Sequence, residues 1–329
     1  MAEPPPPVAL PTDAAIRQVN AAIDAVRLVA GSTPAAHIAL SPLIRAREAL
    51  SGGQELDWSD AADLETKQIE MPKVIIEDLF RRGEVILIAA ESKLGKTWNA
   101  ITMSIEVATG GAWLGQSVLL KGPVLYVNME LARAVCELRT KLLCNALGKS
   151  PMGVHFVHLR GMSTDLESLI PALVAKAKEV GAVLIVLDAL YNLLGDRDEN
   201  SNGDMAGLMA DLTRLATETE CAVCAVHHFN KHSHKGDDGT AGATKMSGAG
   251  ALHRSPEGVI TITRVSAKGL KELGLEGRTV VRVESSLRTL RESPPILVEK
   301  ASGTNGIPVF NRLDVAPRTI SPSGKGRKV

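Results

Sequence analysis

One stretch constrains this chain more than any other. An apolar run, VILIAA at 85–90, opens directly onto ESKLGKT and then onto a helical pattern. A strand that ends in Gly-Lys-Thr and feeds a helix aims backbone N–H groups and a helix N-terminus at one point, the arrangement that cradles a phosphate chain. The rest of the chain must therefore supply an open sheet around that strand. Further apolar runs follow in VLYVNM (124–129), VHFVHL (154–159), VLIVLD (183–188) and AVCAVHHF (222–229). Between them lie helical patterns from Lys96, from Leu131, from Thr164 and near 204–219, the last marked by Met205, Leu208, Met209, Leu212 and Leu215. Thr164 and Glu167 read as a capping box at the head of the third helix. Strands alternating with helices require a mostly parallel sheet with right-handed crossovers. After Gly258, the runs GVITITRV, RTVVRVESSL and PILVEK come without intervening helices, so antiparallel strands should finish the sheet. The expected fold class is α/β.

The chain of 329 residues exceeds a typical single domain, which predicts one large domain with an appendage. The boundaries expected are a Pro-rich segment at 1–11, a helical region and linker at 12–70, the main domain at 71–315 and a basic tail at 316–329. In the N-terminal region Ile16, Val19, Ile23, Val26 and Ala30 form a narrow apolar stripe. It suits either packing within its own domain or docking onto a neighbouring subunit. Ser41 as N-cap, Pro42 and the Gly52–Gly53 stop predict a second short helix. Hydrophobic residues make up 45% of the chain but aromatics only 3%, so the core must be aliphatic, as in a buried parallel sheet. Lys plus Arg balance Asp plus Glu at 37 each, so any nucleic-acid contact must come from local basic loops. No apolar run reaches the ~18 residues that span a bilayer. The opening MAEPPPPVALPT has prolines where a secretion signal needs basic and apolar segments. A soluble, cytoplasmic protein without a membrane partner is expected. Cys221 and Cys224 fall in a strand pattern at a spacing that separates their faces, so buried thiols are expected there rather than a metal or redox pair.

The pattern G-x-x-x-x-G-K-[ST] is met except at its first position, where Ala90 stands. The nucleotide-binding segment then runs Ala90, Glu91, Ser92, Lys93, Leu94, Gly95, Lys96, Thr97, Trp98. Lys96 would reach the β- and γ-phosphates of ATP, and the Thr97 hydroxyl would bind Mg²⁺. Alanine tolerates a positive φ poorly, so the opening turn of the loop is expected to differ from the usual one. Asp188 ends an apolar strand and should reach the carboxyl edge of the sheet, where open α/β sheets bind their ligands, as a second Mg²⁺ residue. Glu130, at the end of VLYVNME, could polarise the attacking water or merely favour the following helix start. His227 and His228 end the next strand, one on each face, and one of them could face the γ-phosphate. With His232 and His234 they lack the further ligands that a zinc site needs.

Taken in order, AESKLGKT, VLYVNME, LIVLDALYNLLGDRDEN, AVHHFNK and SGAGALHRSPEGVITI resemble the RecA-type AAA-family ATPases of the RepA branch. That branch includes small hexameric replicative helicases of plasmids and phages. The resemblance spans roughly residues 72–300 and implies a RecA-like P-loop fold. It also implies Lys96 and Thr97 as phosphate and Mg²⁺ residues, Glu130 as catalytic carboxylate and Asp188 as the acid on the metal. His228 falls where the γ-phosphate sensor sits. In such rings a neighbouring subunit lends an arginine to the γ-phosphate; Arg254 and Arg288 are the favoured candidates, ahead of Arg291. The 20-residue stretch Lys231–Gly250 starts beside the sensor position, and Lys231, Lys235 and Lys245 could meet the phosphates of single-stranded DNA. Gly195–Gly203 is a second candidate segment. Neither carries an aromatic residue. The expected function is an ATP-driven motor on single-stranded DNA, a hexameric helicase or translocase of a mobile element. The alternatives are a DNA-stimulated recombinase or repair mediator forming filaments, and an ATP-driven assembly switch that unwinds nothing.

Overall fold

A computed structural model describes residues 11–30, 40, 42–44, 46–47, 59–91, 94–162, 164–228, 251–291, 293–303 and 306–314. The chain divides into two compact units, Met1–Met71 with Glu167–Ala175, and Pro72–Leu166 with Lys176–Val329.

In the first unit, helix α1 (Pro11–Ala30) carries the predicted stripe. Ile23 is buried and Ile16, Val19 and Val26 are half-buried, whereas Leu28 and Val29 are exposed. The stripe is therefore already partly covered. Helical residues recur at 40–47, but Ser41 and Gly52–Gly53, on which the second helix was predicted, lie outside the described residues.

The second unit is built on a nine-stranded sheet. In chain order its strands are β3 (Val85–Ala90), β6 (Val124–Asn128), β7 (Val154–His158), β8 (Leu184–Asp188), β9 (Ala222–His228), β10 (Gly258–Arg264), β11 (Val280–Leu287), β12 (Ile296–Ser302) and β13 (Pro308–Leu313). Two small hairpins, β1–β2 (Val74–Ile76, Phe80–Arg81) and β4–β5 (Ala112–Trp113, Gln116–Ser117), stand apart from it. The spatial order is β13-β12-β11-β10-β3-β9-β8-β6-β7. From β10 to β7 every pairing is parallel, and from β10 to β13 every pairing is antiparallel. This is the predicted α/β class with its antiparallel finish, and the fold is RecA-like. β3 lies between two later strands, so its carboxyl end opens into the crevice where the winding reverses.

Helix α2 (Lys96–Thr109) follows β3. It buries Ala100, Ile101, Met103, Ile105 and Val107 in one core with Ile86, Ile88, Tyr126, Val186, Cys224 and Val226. Full burial of each such aliphatic side chain is worth about 1.5–3 kcal/mol, so this face anchors the loop before the helix. Helix α3 (Arg133–Leu147) adds Cys136, Leu143 and Cys144 to the same core. Helices α4 (Leu166–Val180) and α5 (Asn202–Thr219) complete the crossovers, and α6 (Ala251–Arg254) is a single turn before β10.

Three details differ from the expectation. α4 starts at Leu166, so Thr164 is not its N-cap; the Thr164 hydroxyl instead lies 3.4 Å from the Asp165 carbonyl. A seven-residue helix, α7 (Ala267–Leu273), interrupts the β10–β11 connection that had read as helix-free. Ser266 caps it by accepting from the Gly269 N–H, and Gly274 ends it in the left-handed conformation. β6 stops at Asn128, so Glu130 stands beyond the strand rather than at its end. The two neighbouring thiols are buried: Cys224 lies inside the main core, and Cys221 donates from Sγ to the Ala182 carbonyl at 3.0 Å.

Candidate functional site

The carboxyl ends of β3, β6, β8 and β9 bring the candidate residues to one edge of the sheet. β3 delivers Ala90 and Glu91 into the loop, and Gly95 is the N-cap of α2. Gly95 has φ 86°, a left-handed value that favours glycine, and a Cβ there would lie 3.4 Å from Phe310 Cζ. Ala90 has no such demand on it. It is an in-register strand residue, paired with His228 on one side and Ile262 on the other, and it is not among the described residues with positive φ. Ala90 itself therefore carries no strain from the missing glycine, and the middle of the opening turn lies outside the described residues. Leu94 is buried, Trp98 half-buried with the Arg139 guanidinium 4.8 Å over its ring, and Ser92 and Lys93 lie outside the described residues. α2 is fixed further along its length. Trp113 Nε1 donates to Asn99 Oδ1 at 2.6 Å, and Glu106 near the other end is ion-paired with Lys149.

Lys96 folds back over the loop, with Nζ donating to the carbonyls of Ala90 (3.2 Å) and Glu91 (3.3 Å). Burial lowers its pKa, while the negative charges of Glu130 and Asp188 oppose that shift. The same two carboxylates expected from the sequence thus face the loop lysine. Glu130 is exposed.

Asp188 is the most constrained member of the set. It ends β8, is 1% exposed, and accepts a 2.6 Å hydrogen bond at Oδ2 from the Tyr126 hydroxyl. Its other oxygen, Oδ1, is buried without a hydrogen-bond partner among the described residues. Burial raises its pKa; the Tyr126 and Thr97 hydroxyls and the Lys96 charge work in the other direction. A buried carboxylate oxygen left unpartnered beside a threonine hydroxyl suits a hard dication, which oxygen ligands bind and whose charge would offset the burial cost. Thr97 and Asp188 therefore fit Mg²⁺.

His228 ends β9 in register with Ala90. His227, on the opposite parity, is buried with Nε2 3.6 Å from Glu199 Oε1. Arg254 and Arg288 are not brought to this edge. Both are exposed at the amino end of β10, where the Arg288 N–H donates to the Glu257 carbonyl at 2.8 Å. That is about 17 Å of strand from Ile262, the loop's neighbour. Lys231, Lys235 and Lys245 lie outside the described residues.

Tyr126 and Asn128, hidden in the sequence by the apolar strand that carries them, also reach this edge; a polar side chain at alternate positions of such a strand is the signal that marks them. Lys300 and Arg264 also approach the loop. Lys300 Nζ comes within 3.6 Å of the place a Cβ on Gly95 would take, and burial, with the nearby Arg264, lowers its pKa. A cavity of about 420 Å³ lies there, lined by Trp98, Arg264, Thr279, Lys300, Ser302 and Pro308.

A family model described as an AAA domain matches residues 52–234, more than half of the chain. No curated protein matches. Among solved structures, the chain is similar to an ATPase domain at 12% identity, covering 71% of this chain and 86% of that one with a TM-score of 0.52. It is also similar to a KaiC-like protein of the hyperthermophilic archaeon Pyrococcus horikoshii, at 15% identity, 73% and 93% coverage and a TM-score of 0.49. At such identity the first of these likenesses bears on the fold alone.

Proposed function

The chain belongs to the AAA domain family, and on that footing we propose that it is a RecA-type ATPase, a ring-forming motor of the RepA branch that hydrolyses ATP and acts on single-stranded DNA during replication of a mobile element. The observation that carries the ATPase chemistry is the convergence of Lys96, Thr97, Glu130 and Asp188 at one sheet edge, with Asp188 Oδ1 left without a partner.

In this reading the loop N–H groups and the α2 N-terminus hold the phosphates, and Lys96 leaves the loop carbonyls for the β- and γ-phosphates. Thr97 and Asp188 hold Mg²⁺, which would neutralise charge developing on the phosphate oxygens. Glu130 accepts the proton of the attacking water. His228, level with the loop, reports whether the γ-phosphate is present. Trp98, with the cavity beside it, would be available to the nucleoside.

Arg254 and Arg288 support assembly into a homo-oligomer. Each is exposed at the sheet edge away from its own loop, so either would serve a neighbour's nucleotide better than its own. Lys231, Lys235 and Lys245 are the proposed contacts to DNA phosphates. A hexamer is the assembly this branch implies. Among the described residues no helix is long and apolar enough to cross a membrane.

The test is ATP turnover with and without single-stranded DNA, together with DNA binding at two salt concentrations. Stimulation by DNA and binding that weakens with salt are expected. An ATPase indifferent to DNA would leave the assembly-switch reading in its place, and ATP-bound filaments in electron micrographs would favour the recombinase.

A further inference from the structure

We propose that Asn128 and His158 are positioning residues that hold Glu130 in place, and that they do so only while the His158 imidazole is neutral. The proposal rests on the role of Glu130 given above and adds the groups that fix it.

Glu130 stands between two anchored points. Before it, the backbone is tied to both flanking strands: the Met129 N–H donates to the Asp188 carbonyl at 2.9 Å, and the Leu159 N–H donates to the Asn128 carbonyl at 2.8 Å. After it, Leu131 is clamped by one carboxamide. The Leu131 N–H donates to Asn128 Oδ1 at 2.9 Å, and Asn128 Nδ2 donates to the Leu131 carbonyl at 2.8 Å. Only Met129 and Glu130 lie between these anchors. Asparagine suits the position because the clamp needs a donor and an acceptor on the same planar group. Aspartate could accept the first bond but not donate the second. Asn128 is 1% exposed, so water does not replace either bond at low cost.

The clamp also fixes which way the carboxamide faces. With Oδ1 committed to an N–H and Nδ2 to a carbonyl, the second hydrogen of Nδ2 points to His158 Nδ1, 3.0 Å away. Two N–H groups cannot share that contact, so Nδ1 is the bare nitrogen and the proton sits on Nε2. Nε2 faces Glu137 Oε1 at 3.8 Å, and Phe156 stacks on the ring with centroids 5.8 Å apart. The charged groups around the imidazole are Arg133 and Glu137, both from α3. Burial and Arg133 hold its pKa below the usual histidine value, and Glu137 opposes them. A proton on Nδ1 would set N–H against N–H, loosen the clamp on Leu131 and free the Glu130 turn. Neither residue touches the nucleotide in this account; they act through Glu130.

The experiment is kcat and KM for Mg·ATP with the full-length protein, from about pH 5.5 to about pH 8.5, for wild type and four variants. Asn128→Ala should lower kcat by ~10- to 100-fold while KM moves less than ~3-fold, because a displaced catalytic group affects the transition state more than binding. His158→Leu should behave likewise. His158→Gln, whose Oε1 can accept the same hydrogen bond and cannot be protonated, should keep kcat within ~3-fold and move the acid limb of the wild-type profile to lower pH. Adding Asn128→Ala to Glu130→Gln should cost no further turnover. Unchanged kcat in both Asn128→Ala and His158→Leu overturns the proposal, as does a loss confined to KM or an acid limb that stays at the wild-type pH in His158→Gln. Should Asn128→Ala fail to fold in a thermal melt, the two His158 variants decide alone. Glu130→Gln separates the layers. If it turns over normally, the role of Glu130 falls; if it is inactive while Asn128→Ala is active, only the clamp falls.

Discussion

Tyr126→Phe isolates one hydrogen bond that the site cannot replace. The hydroxyl of Tyr126 and the carboxylate of Asp188 are 0% and 1% exposed, and the bond between them is 2.6 Å long. Phenylalanine keeps the ring in the core and removes only the donor, which leaves the buried carboxylate with the Thr97 hydroxyl as its remaining donor and Oδ1 still unpartnered among the described residues. Hydrogen bonds to charged groups contribute about 1.5–3 kcal/mol, and the variant should lose about that much stability at neutral pH. For a chain of this size each kcal/mol lowers Tm by roughly 2–4 °C, so a drop of several degrees is expected. The pH dependence gives the sharper signature. Burial raises the Asp188 pKa above its unfolded value, and Tyr126 is the first group that counters this. A carboxyl with a raised folded pKa contributes its stability in full below the unfolded pKa, and that contribution is lost as pH rises through the folded pKa. Without Tyr126 the folded pKa rises further, so more stability is lost on the way up. The Tm gap between wild type and Tyr126→Phe should therefore widen as pH rises from below the ordinary carboxylate range to neutrality. The assay is thermal unfolding of both proteins across that range, without nucleotide. A gap that is absent, or the same at every pH, would refute the reasoning, since the hydroxyl would then be acting on something other than the ionised carboxylate.

Lys96→Ala should nearly abolish hydrolysis and weaken nucleotide binding, measured as phosphate release and as nucleotide-induced change in Tm. Ala90→Gly should bring no gain in ATP affinity and a stability cost of about 0.5–1 kcal/mol, because the position is an ordinary strand residue, and a calorimetric titration beside a thermal melt checks both. Gly95→Ala should be costlier, about 1–2 kcal/mol, since φ 86° strains any side chain, and it should reduce turnover as well. Mixing Arg288→Ala with Lys96→Ala protein should restore part of the ATPase rate if Arg288 serves its neighbour's nucleotide; the same mixing with Arg254→Ala distinguishes the two arginines.

What could be read beforehand followed from strong local rules. A strand running into Gly95-Lys96-Thr97 admits few geometries, and an aspartate closing VLIVLD has little choice but the carboxyl edge of a parallel sheet. The rest depended on neighbours far along the chain. Whether Ala90 needs a positive φ is settled by its pairing with His228 and Ile262, which the loop's own residues do not reveal. Tyr126 and Asn128 were hidden by the apolar company of β6, because their partners, Asp188 and His158, arrive 62 and 30 residues later. The helix Ala267–Leu273 was legible in part, through Ser266 and Gly274, but its roughly two turns carry too little apolar periodicity to stand out. Thr164 offered a good cap sequence two residues before the helix that forms at Leu166.

The most direct test of the whole account is the release of phosphate from Mg·ATP by the wild-type protein and by Glu130→Gln, with bound ATP measured in the same samples. The account predicts Mg²⁺-dependent release by the wild type, and a variant that holds ATP but leaves it intact. A wild-type protein that binds no ATP, or a Glu130→Gln protein that releases phosphate at the wild-type rate, would contradict it.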